Sequence, residues 1–184
     1  MIVVINGSFG VGKTTIAKLL CGFLPGSVIY DPEWVGFALK RWPNWIKLHG
    51  SGTDDYQDLD LWRRSTVAGV RLFRWLASGP IIIPMAFSHY GYFDEVVRGI
   101  EGFDTELRVF CLRASLETIR KRIVTRGTEI DGPGAEWITR RAKECVVAHC
   151  DAKFGEPVDT EERSAREVTE DIVRRLRRLT PSPE

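Results

Sequence analysis

A glycine-rich segment near the start of the chain constrains the fold more than any other feature. It fits the pattern G-x-x-x-x-G-K-[ST] without a mismatch and reads Gly7-Ser8-Phe9-Gly10-Val11-Gly12-Lys13-Thr14. A buried-strand pattern over residues 1–5 precedes it, and an amphipathic helical pattern follows it to about Leu24. Because glycines let successive backbone N–H groups turn toward one anion, this arrangement predicts a phosphate loop that binds ATP or GTP. The chain has no N-K-x-D tetrad of the kind that recognises guanine, so ATP is favoured.

The residue types in this loop match the needs of a bound nucleotide and its metal ion. Lys13 is expected to reach the β- and γ-phosphates, and the Thr14 hydroxyl is expected to ligate Mg²⁺. The predicted nucleotide-binding residues are Gly7, Ser8, Phe9, Gly10, Val11, Gly12, Lys13, Thr14 and Thr15.

The other apolar runs alternate with segments of helical period. Further strands are predicted at residues 27–30, 81–83 and 107–112 and around Val158. A helix is predicted over about 59–77, and Ser164 and Glu167 form a capping-box pair at the start of the last helix. This alternation predicts an α/β fold with a parallel sheet covered on both faces and ligands at the carboxyl ends of the strands. We expect one domain over residues 1–180 and a frayed tail over 181–184.

Composition excludes several classes of function. The 26 basic and 25 acidic residues nearly cancel, so bulk attraction to nucleic acid is not expected. The longest apolar run, residues 80–87, is too short to span a membrane, and the first residues lack the features of a signal peptide. The four cysteines and three histidines show no metal-ligand spacing. A cytoplasmic protein with reduced thiols is therefore expected.

Asp31 follows the second predicted strand and is the strongest candidate for a catalytic carboxylate. It is expected either to take the proton of an acceptor hydroxyl or to hold Mg²⁺ through water. Asp31 followed by Pro32 is also a typical helix start, and the two roles are compatible. Glu33 then falls in the first turn, where an interaction with the helix dipole is the simpler account. The third strand ends in Pro84-Met85, without the acidic residue often found there, which leaves Asp31 as the best carboxylate near the metal.

Residues 113–143 carry eight basic and four acidic side chains and are predicted to form a helix, a mobile flap over about 126–136 and a second helix. In small phosphate-loop kinases such a flap closes arginines over the transferring phosphate. Arg122 and Arg126 are the preferred candidates, followed by Arg140 or Arg141, and a solvated helix face is the alternative. Among six tryptophans, Trp62 and Trp75 are expected to pack a helix, while Trp34, Trp42 and Trp45 either contact a bulky ligand or pack in the core.

Several blocks together resemble the ATP-binding tunicamycin-resistance proteins. The blocks keep their order over most of the chain up to about residue 160. They are Ile5-Asn6-Gly7-x-Phe9-Gly10-x-Gly12-Lys13-Thr14, Tyr30-Asp31-Pro32-Glu33-x-x-Gly36-Phe37-Ala38-Leu39, Asp55-Tyr56-Gln57, Leu61-Trp62-Arg63, Ile83-Pro84-Met85, Tyr92-Phe93-Asp94-Glu95 and Ala114-Ser115-x-Glu117-Thr118. The phosphate loop alone is generic, whereas the Asp31 and Met85 blocks are more specific.

The resemblance implies a three-layer P-loop fold of the nucleoside-monophosphate-kinase and shikimate-kinase type, with five parallel strands and an arginine-bearing flap. It implies ATP and Mg²⁺ as cofactors, resistance to tunicamycin, and adenine near residues 159–163. By matching position, the residues expected to line the substrate pocket are Asp31, Glu33, Phe37, Arg63 and Met85. It also implies weak peripheral membrane contact through the C-terminal helix, although packing of that helix on the domain is favoured here.

Two functions remain open at this point. The first is a phosphotransferase that moves the γ-phosphate of ATP to a hydroxyl of tunicamycin or a related metabolite, with Lys13, Asp31, Arg122 and Arg126 as catalytic groups. The second is a binding protein that uses ATP to order its pocket and sequesters the drug. The fold, Asp31 and the arginine-bearing flap support the first, which is favoured, whereas the missing acidic residue on the third strand supports the second.

Overall fold

A five-stranded parallel sheet forms the centre of the molecule. The computed structural model describes residues 1–34, 55–127 and 135–179. The strands are β1 (Ile2–Gly7), β2 (Val28–Ile29), β3 (Ile81–Met85), β4 (Leu107–Arg113) and β5 (Glu156–Asp159). Their spatial order is β2-β3-β1-β4-β5, and every pairing is parallel. The carboxyl ends of β1, β3 and β4 therefore meet at one edge of the sheet.

Helices cover both faces of this sheet. Over the described residues they are α1 (Lys13–Phe23), α2 (Asp60–Leu76), α3 (Tyr90–Glu101), α4 (Leu116–Thr125), α5 (Ala135–Ala148) and α6 (Ala165–Leu179). Alternate residues of β1 divide between two cores, because successive side chains of a strand point to opposite faces. Ile2 and Val4 pack with α2 and α3, whereas Val3 and Ile5 pack with α1 and α6. All four side chains are fully buried, which explains why β1 is apolar without alternation.

The predicted strands and helices are confirmed, with ends shifted by a few residues. The predicted capping box is present: Glu167 N–H donates to Ser164 Oγ (3.2 Å), and Ser164 N–H donates to the Glu167 carboxylate (2.8 Å). The apolar side of α6 packs into the core through Val168, Ile172 and Leu176, as favoured. Among the described residues, no helix is long and apolar enough to cross a membrane.

One packing expectation is wrong. Trp62 is buried, as predicted, and its indole N–H donates to the Pro32 carbonyl (3.0 Å). Trp75, expected to pack in the same way, is 82% exposed. The two residues are 13 positions apart, which at 100° per residue places them on different sides of α2.

Candidate functional site

The phosphate loop joins β1 to α1 at the carboxyl edge of the sheet. Its backbone needs two glycines for different reasons. Gly12 directly precedes α1 and has φ 112°, a left-handed conformation that side chains rarely adopt. Gly10 has φ 77°, and a Cβ there would lie 2.7 Å from Cγ1 of Ile123 and 3.2 Å from the Ile119 carbonyl oxygen. The loop is therefore shaped both by its own backbone and by the helix α4 behind it.

Lys13 lies inside this loop and is only 9% exposed. Its ammonium group donates to the Ser8 carbonyl (2.9 Å) and lies 5.4 Å from the centre of the Phe9 ring. Burial lowers the pKa of Lys13, and the nearby Arg126 adds to this, whereas Glu33 and Asp31 oppose it. No carboxylate of the described residues forms a salt bridge with Lys13. A buried cation with this environment is suited to an anionic ligand.

Asp31 and Glu33 follow β2, and both lie close enough to Lys13 for their charges to raise its pKa. Asp31 Oδ1 accepts the backbone N–H of Glu33 (2.9 Å), which confirms the helix-start geometry expected for Asp31. Burial raises the pKa of the Glu33 carboxyl, Asp31 adds to the rise, and Lys13 opposes it. Glu33 therefore does more than contribute to the first turn of a helix: it interacts electrostatically with both Asp31 and Lys13. The sequence indicated Glu33 only through the family resemblance.

The loop fits a nucleoside triphosphate with its magnesium ion. The glycine conformations open the backbone toward an anion, and the buried Lys13 lacks a carboxylate partner among the described residues. Thr14 lies in the first turn of α1 and is exposed, so its hydroxyl is accessible to a metal ion. Thr15 is exposed beside it. Over the described part of the chain, no group of three or more histidine, cysteine or acidic side chains forms a metal site of its own.

Arg122 lies behind the phosphate loop, where its guanidinium group has protein partners. Nη1 donates to the Val11 carbonyl (3.2 Å) and to Thr160 Oγ1 (3.0 Å), and Nη2 donates to the Thr160 carbonyl (2.6 Å). These bonds connect the loop to the segment after β5. This geometry differs from the expected contact with the transferring phosphate and favours a positioning role. Local sequence gave no sign of the Thr160 partner, which lies 38 residues away.

Arg126 and Arg141 have different environments. Arg126 is exposed at the end of α4 and close enough to Lys13 to lower the pKa of that lysine. Arg141, on α5, forms a salt bridge with Asp55 (2.6 Å) and donates to Ser88 Oγ (2.8 Å) in the segment after β3. The flap predicted over about 126–136 lies largely outside the described residues, which omit 128–134.

The expected acceptor pocket is described only in part. Met85 is buried at the end of β3, where it pairs in register with Asn6. Arg63 Nε donates to the Glu95 carboxylate (2.6 Å), and Nη1 donates to the Gln57 carbonyl (2.8 Å). Arg63 therefore stabilises this side of the expected acceptor pocket through contacts with other residues of the protein. Phe37, Trp42 and Trp45 lie outside the described residues, and Trp34 is exposed.

A buried polar cluster under the site was missed at the sequence level. Asn6 Oδ1 accepts the Phe87 N–H (3.0 Å), and His149 Nε2 donates to the Phe87 carbonyl (2.7 Å). Burial lowers the pKa of His149 to about 4, so its imidazole is neutral at pH 7. The signal available was Asn6, a polar residue in a fully apolar strand, but its partners are distant in sequence.

A cavity of about 640 Å³ lies at the ends of β4 and β5, beside the segment where the resemblance puts adenine. Asp159, Glu161 and Arg163 contribute to its lining. The Glu161 carboxylate accepts the Ser115 N–H (2.7 Å) and also contacts the Thr118 hydroxyl. Asp159 Oδ1 accepts the Glu161 N–H (2.8 Å). These bonds fix the segment against the start of α4.

Comparisons with known proteins agree with this fold. No protein-family model matches the chain, and no curated protein matches it significantly. Among solved structures, the tunicamycin resistance protein of Deinococcus radiodurans is 26% identical, with a TM-score of 0.70 over 100% of this chain and 99% of that one. A gluconokinase from Sinorhizobium meliloti is 17% identical, with a TM-score of 0.63 and coverage of 96% and 91%. The shikimate kinase of Acinetobacter baumannii is 12% identical, with a TM-score of 0.64 and coverage of 97% and 95%.

The two kinases are similar in fold alone, whereas the similarity to the tunicamycin resistance protein extends to sequence over the whole chain. The resemblance predicted from the motif blocks is thus confirmed. The chain has the α/β fold of the small P-loop kinases and is similar to a tunicamycin resistance protein.

Proposed function

We propose that this chain is an ATP-dependent small-molecule kinase that transfers the γ-phosphate to a hydroxyl of tunicamycin or of a related metabolite. The observation that supports this most is the buried Lys13 of the phosphate loop, which donates to the Ser8 carbonyl (2.9 Å) and lies near enough to Asp31 and Glu33 for their charges to raise its pKa. A phosphoryl donor site and a candidate proton acceptor thus lie at the same edge of the sheet.

In this proposal each group has a defined task. Lys13 holds the β- and γ-phosphates, and the Thr14 hydroxyl ligates Mg²⁺, with Asp31 contributing through water. Bound Mg²⁺ would supply charge neutralisation on the phosphate oxygens. Arg126 contacts the transferring phosphate, while Arg122 positions the loop through Val11. Asp31 orients the acceptor hydroxyl and takes its proton.

The acceptor class rests on the similarity to the tunicamycin resistance protein. Glu33, Phe37, Arg63 and Met85 are proposed to line the acceptor pocket, with Arg63 acting through Gln57 and Glu95. An apolar side chain such as Met85 suits a ligand with an apolar portion. Because the reaction consumes ATP, we assign it to the cytoplasm.

One observation favours a second function, in which the chain sequesters the drug without chemistry. The end of β3 provides the buried Met85 where an acidic side chain would help to hold the metal. With fewer carboxylates near the phosphates, bound ATP would order the pocket without reacting. The two functions differ in whether the ligand changes mass.

The deciding experiment mixes the purified chain with Mg-ATP and tunicamycin and follows ADP release together with the mass of the drug. A kinase yields ADP and a drug heavier by one phosphate, in equal amounts. Saturable drug binding without a mass change supports sequestration. Lys13→Ala is the negative control, because it removes the phosphate contact that both functions need.

A further inference from the structure

The helix α2 exposes an apolar stripe on the side opposite the core. Leu72 is 53% exposed and Trp75 is 82% exposed, and Leu61 and Ala68 are also exposed on this helix. Monomeric proteins rarely leave large apolar side chains together in water, so such a stripe indicates an interaction surface. This surface is separate from the phosphate loop, which contacts α1, α4 and α5.

The stripe has the spacing of a helix–helix seam. Its members are Leu61, Ser65, Ala68, Leu72 and Trp75, which follow one another at intervals of four, three, four and three residues. This is the spacing of the a and d positions of a coiled coil. The core-facing residues Arg63 and Val70 lie on the other side of the helix. Thus α2 carries one face for its own domain and a second face suited to another helix.

The stripe is complementary to itself. After Leu61, the stripe has two small side chains, Ser65 and Ala68, followed by two large ones, Leu72 and Trp75. If a second α2 packs antiparallel with the two-fold axis near Val70, Leu72 lies on the partner's Ala68 and Trp75 lies on the partner's Ser65. Large side chains then fill the space left by small ones, as in a close-packed core.

The surroundings of the stripe permit this approach. A groove of about 870 Å³ lies beside Ala68, Leu72 and Trp75, and its α3 side includes Gly99 and Gly102. The neighbouring Arg64 forms a salt bridge with Asp60 on its own helix (3.0 Å), and Arg71 lies 5.5 Å from the Phe103 ring centre. The Asp60 carboxylate offsets the charge of Arg64, and the ring contact holds Arg71 toward Phe103, just beyond the end of α3.

We propose that the chain forms a symmetric homodimer through an antiparallel α2–α2 seam. A two-fold interface uses the same surface on both subunits, which is what the small and large parts of the stripe allow. An anionic membrane surface is the competing occupant, because tryptophan and arginine also suit it. Binding to a flat lipid surface, however, would not require small side chains in one part of the stripe and large side chains in the other.

The test exchanges the sizes of two facing side chains and measures the dimer dissociation constant by sedimentation velocity on the full chain. Leu72→Ala leaves a cavity against the partner's Ala68, and Ala68→Leu overpacks against the partner's Leu72. Each change is expected to raise the dissociation constant about tenfold or more. The double variant Ala68→Leu/Leu72→Ala restores one large and one small side chain at each contact. Its dissociation constant is therefore expected to be close to that of the wild type. Val147→Ala, an exposed apolar position on α5, is the control and is expected to have no effect.

Both positions are exposed, so the variants are expected to fold, and circular dichroism checks this. A wild-type chain that stays monomeric throughout the micromolar range overturns the proposal. The proposal is also overturned if the effects of the two single changes on the dissociation constant add in the double variant instead of cancelling. A monomeric chain whose binding to phosphatidylcholine–phosphatidylglycerol vesicles falls with Leu72→Ala and rises with Ala68→Leu assigns the stripe to a membrane surface instead.

Discussion

Asp31 and Glu33 are two residues apart, yet their carboxyl groups have different environments. Asp31 uses one oxygen to accept the Glu33 N–H. Glu33 is half-buried, and burial raises its pKa, with a further contribution from Asp31. Two neighbouring carboxyl groups in different environments are suited to different roles. The geometry thus favours Asp31 as the base and Glu33 as an acceptor-binding group.

Asp31→Asn is predicted to leave ATP affinity nearly unchanged and to lower the rate of phosphate transfer about 10²–10⁴-fold, the usual contribution of a general base. The amide keeps an oxygen for the Glu33 N–H, so the local fold is retained. ATP affinity is measured by calorimetry and turnover by ADP release. Retained turnover in this variant would remove Asp31 from the mechanism.

Glu33→Gln provides the matched comparison. Because the pKa of Glu33 is raised, wild-type activity is expected to decline on the acidic side at a higher pH than an ordinary glutamate would allow. The glutamine variant cannot titrate, so this acidic limb is expected to move to lower pH, with a higher KM for the acceptor. If activity declines at the same acidic pH in the wild type and the variant, a group other than Glu33 controls that decline.

At the level of elements, the phosphate loop depends on the helix packed behind it. Gly10 approaches both Ile123 and the Ile119 carbonyl of α4, and Arg122 of the same helix holds the Val11 carbonyl. From the other side, the Trp137 ring of α5 lies 5.5 Å from the Phe9 ring, edge to face. The loop is therefore preorganised by its neighbours as well as by its glycines.

Gly10→Ala is predicted to destabilise the protein by about 3 kcal/mol, the sum of left-handed backbone strain and overpacking against Ile123. Gly127 is the matched control, because its φ of 75° is nearly the 77° of Gly10 while nothing lies within 4 Å of its Cβ position. Gly127→Ala is expected to cost about 1 kcal/mol, from strain alone. Urea unfolding measures both values. Equal losses of unfolding free energy in the two variants would show that α4 does not constrain the phosphate loop.

The elements could be predicted from sequence because their signals are local. The apolar strand β1, the phosphate-loop glycines and the Ser164–Glu167 capping box depend on neighbours within a few positions. Arg122 could not be assigned in the same way, since its partner Thr160 comes from a distant segment. Trp75 shows a further limit: a large aromatic residue on an amphipathic helix was expected inside, but its angular position puts it in water.

At the level of the whole molecule, α5 is attached to the segment before α2 by an ion pair. Arg141 and Asp55 are 2.6 Å apart, and their side chains are only 13% and 14% exposed. Asp55 Oδ1 also accepts the Gln57 N–H (2.9 Å), so the same carboxylate fixes the backbone of the segment before α2. The pair connects α5 to the segment before α2.

A double-mutant cycle with Asp55→Asn and Arg141→Met is predicted to give a coupling free energy of about 1–2 kcal/mol in urea unfolding. The asparagine retains an acceptor for Gln57, so the cycle reports mainly on the ion pair. A cycle between Asp60 and Arg64 is the control, since that pair is largely exposed and is expected to contribute less than about 0.5 kcal/mol. Equal coupling in the two cycles would contradict a special role for the buried pair.

The cluster around His149 joins β1, the segment after β3 and the end of α5, so its protonation should affect the whole fold. Nε2 donates to the Phe87 carbonyl, and the ring stacks edge to face on Phe154 at 5.4 Å. Burial lowers the pKa of His149 from 6.5 to about 4. The unfolded chain therefore binds a proton at a pH where the folded chain does not.

The free energy of unfolding is thus predicted to fall as the pH is lowered from 6.5 to about 4, by about 3 kcal/mol from this residue. His149→Gln keeps a donor for the Phe87 carbonyl but cannot titrate. Carboxyl groups contribute to acid unfolding in both proteins, so the difference between the two pH profiles isolates His149. We expect the variant to lose less stability than the wild type between pH 6.5 and 4, measured by urea unfolding at each pH. Parallel profiles would mean that His149 has an ordinary pKa in the folded protein and that the cluster is open to water.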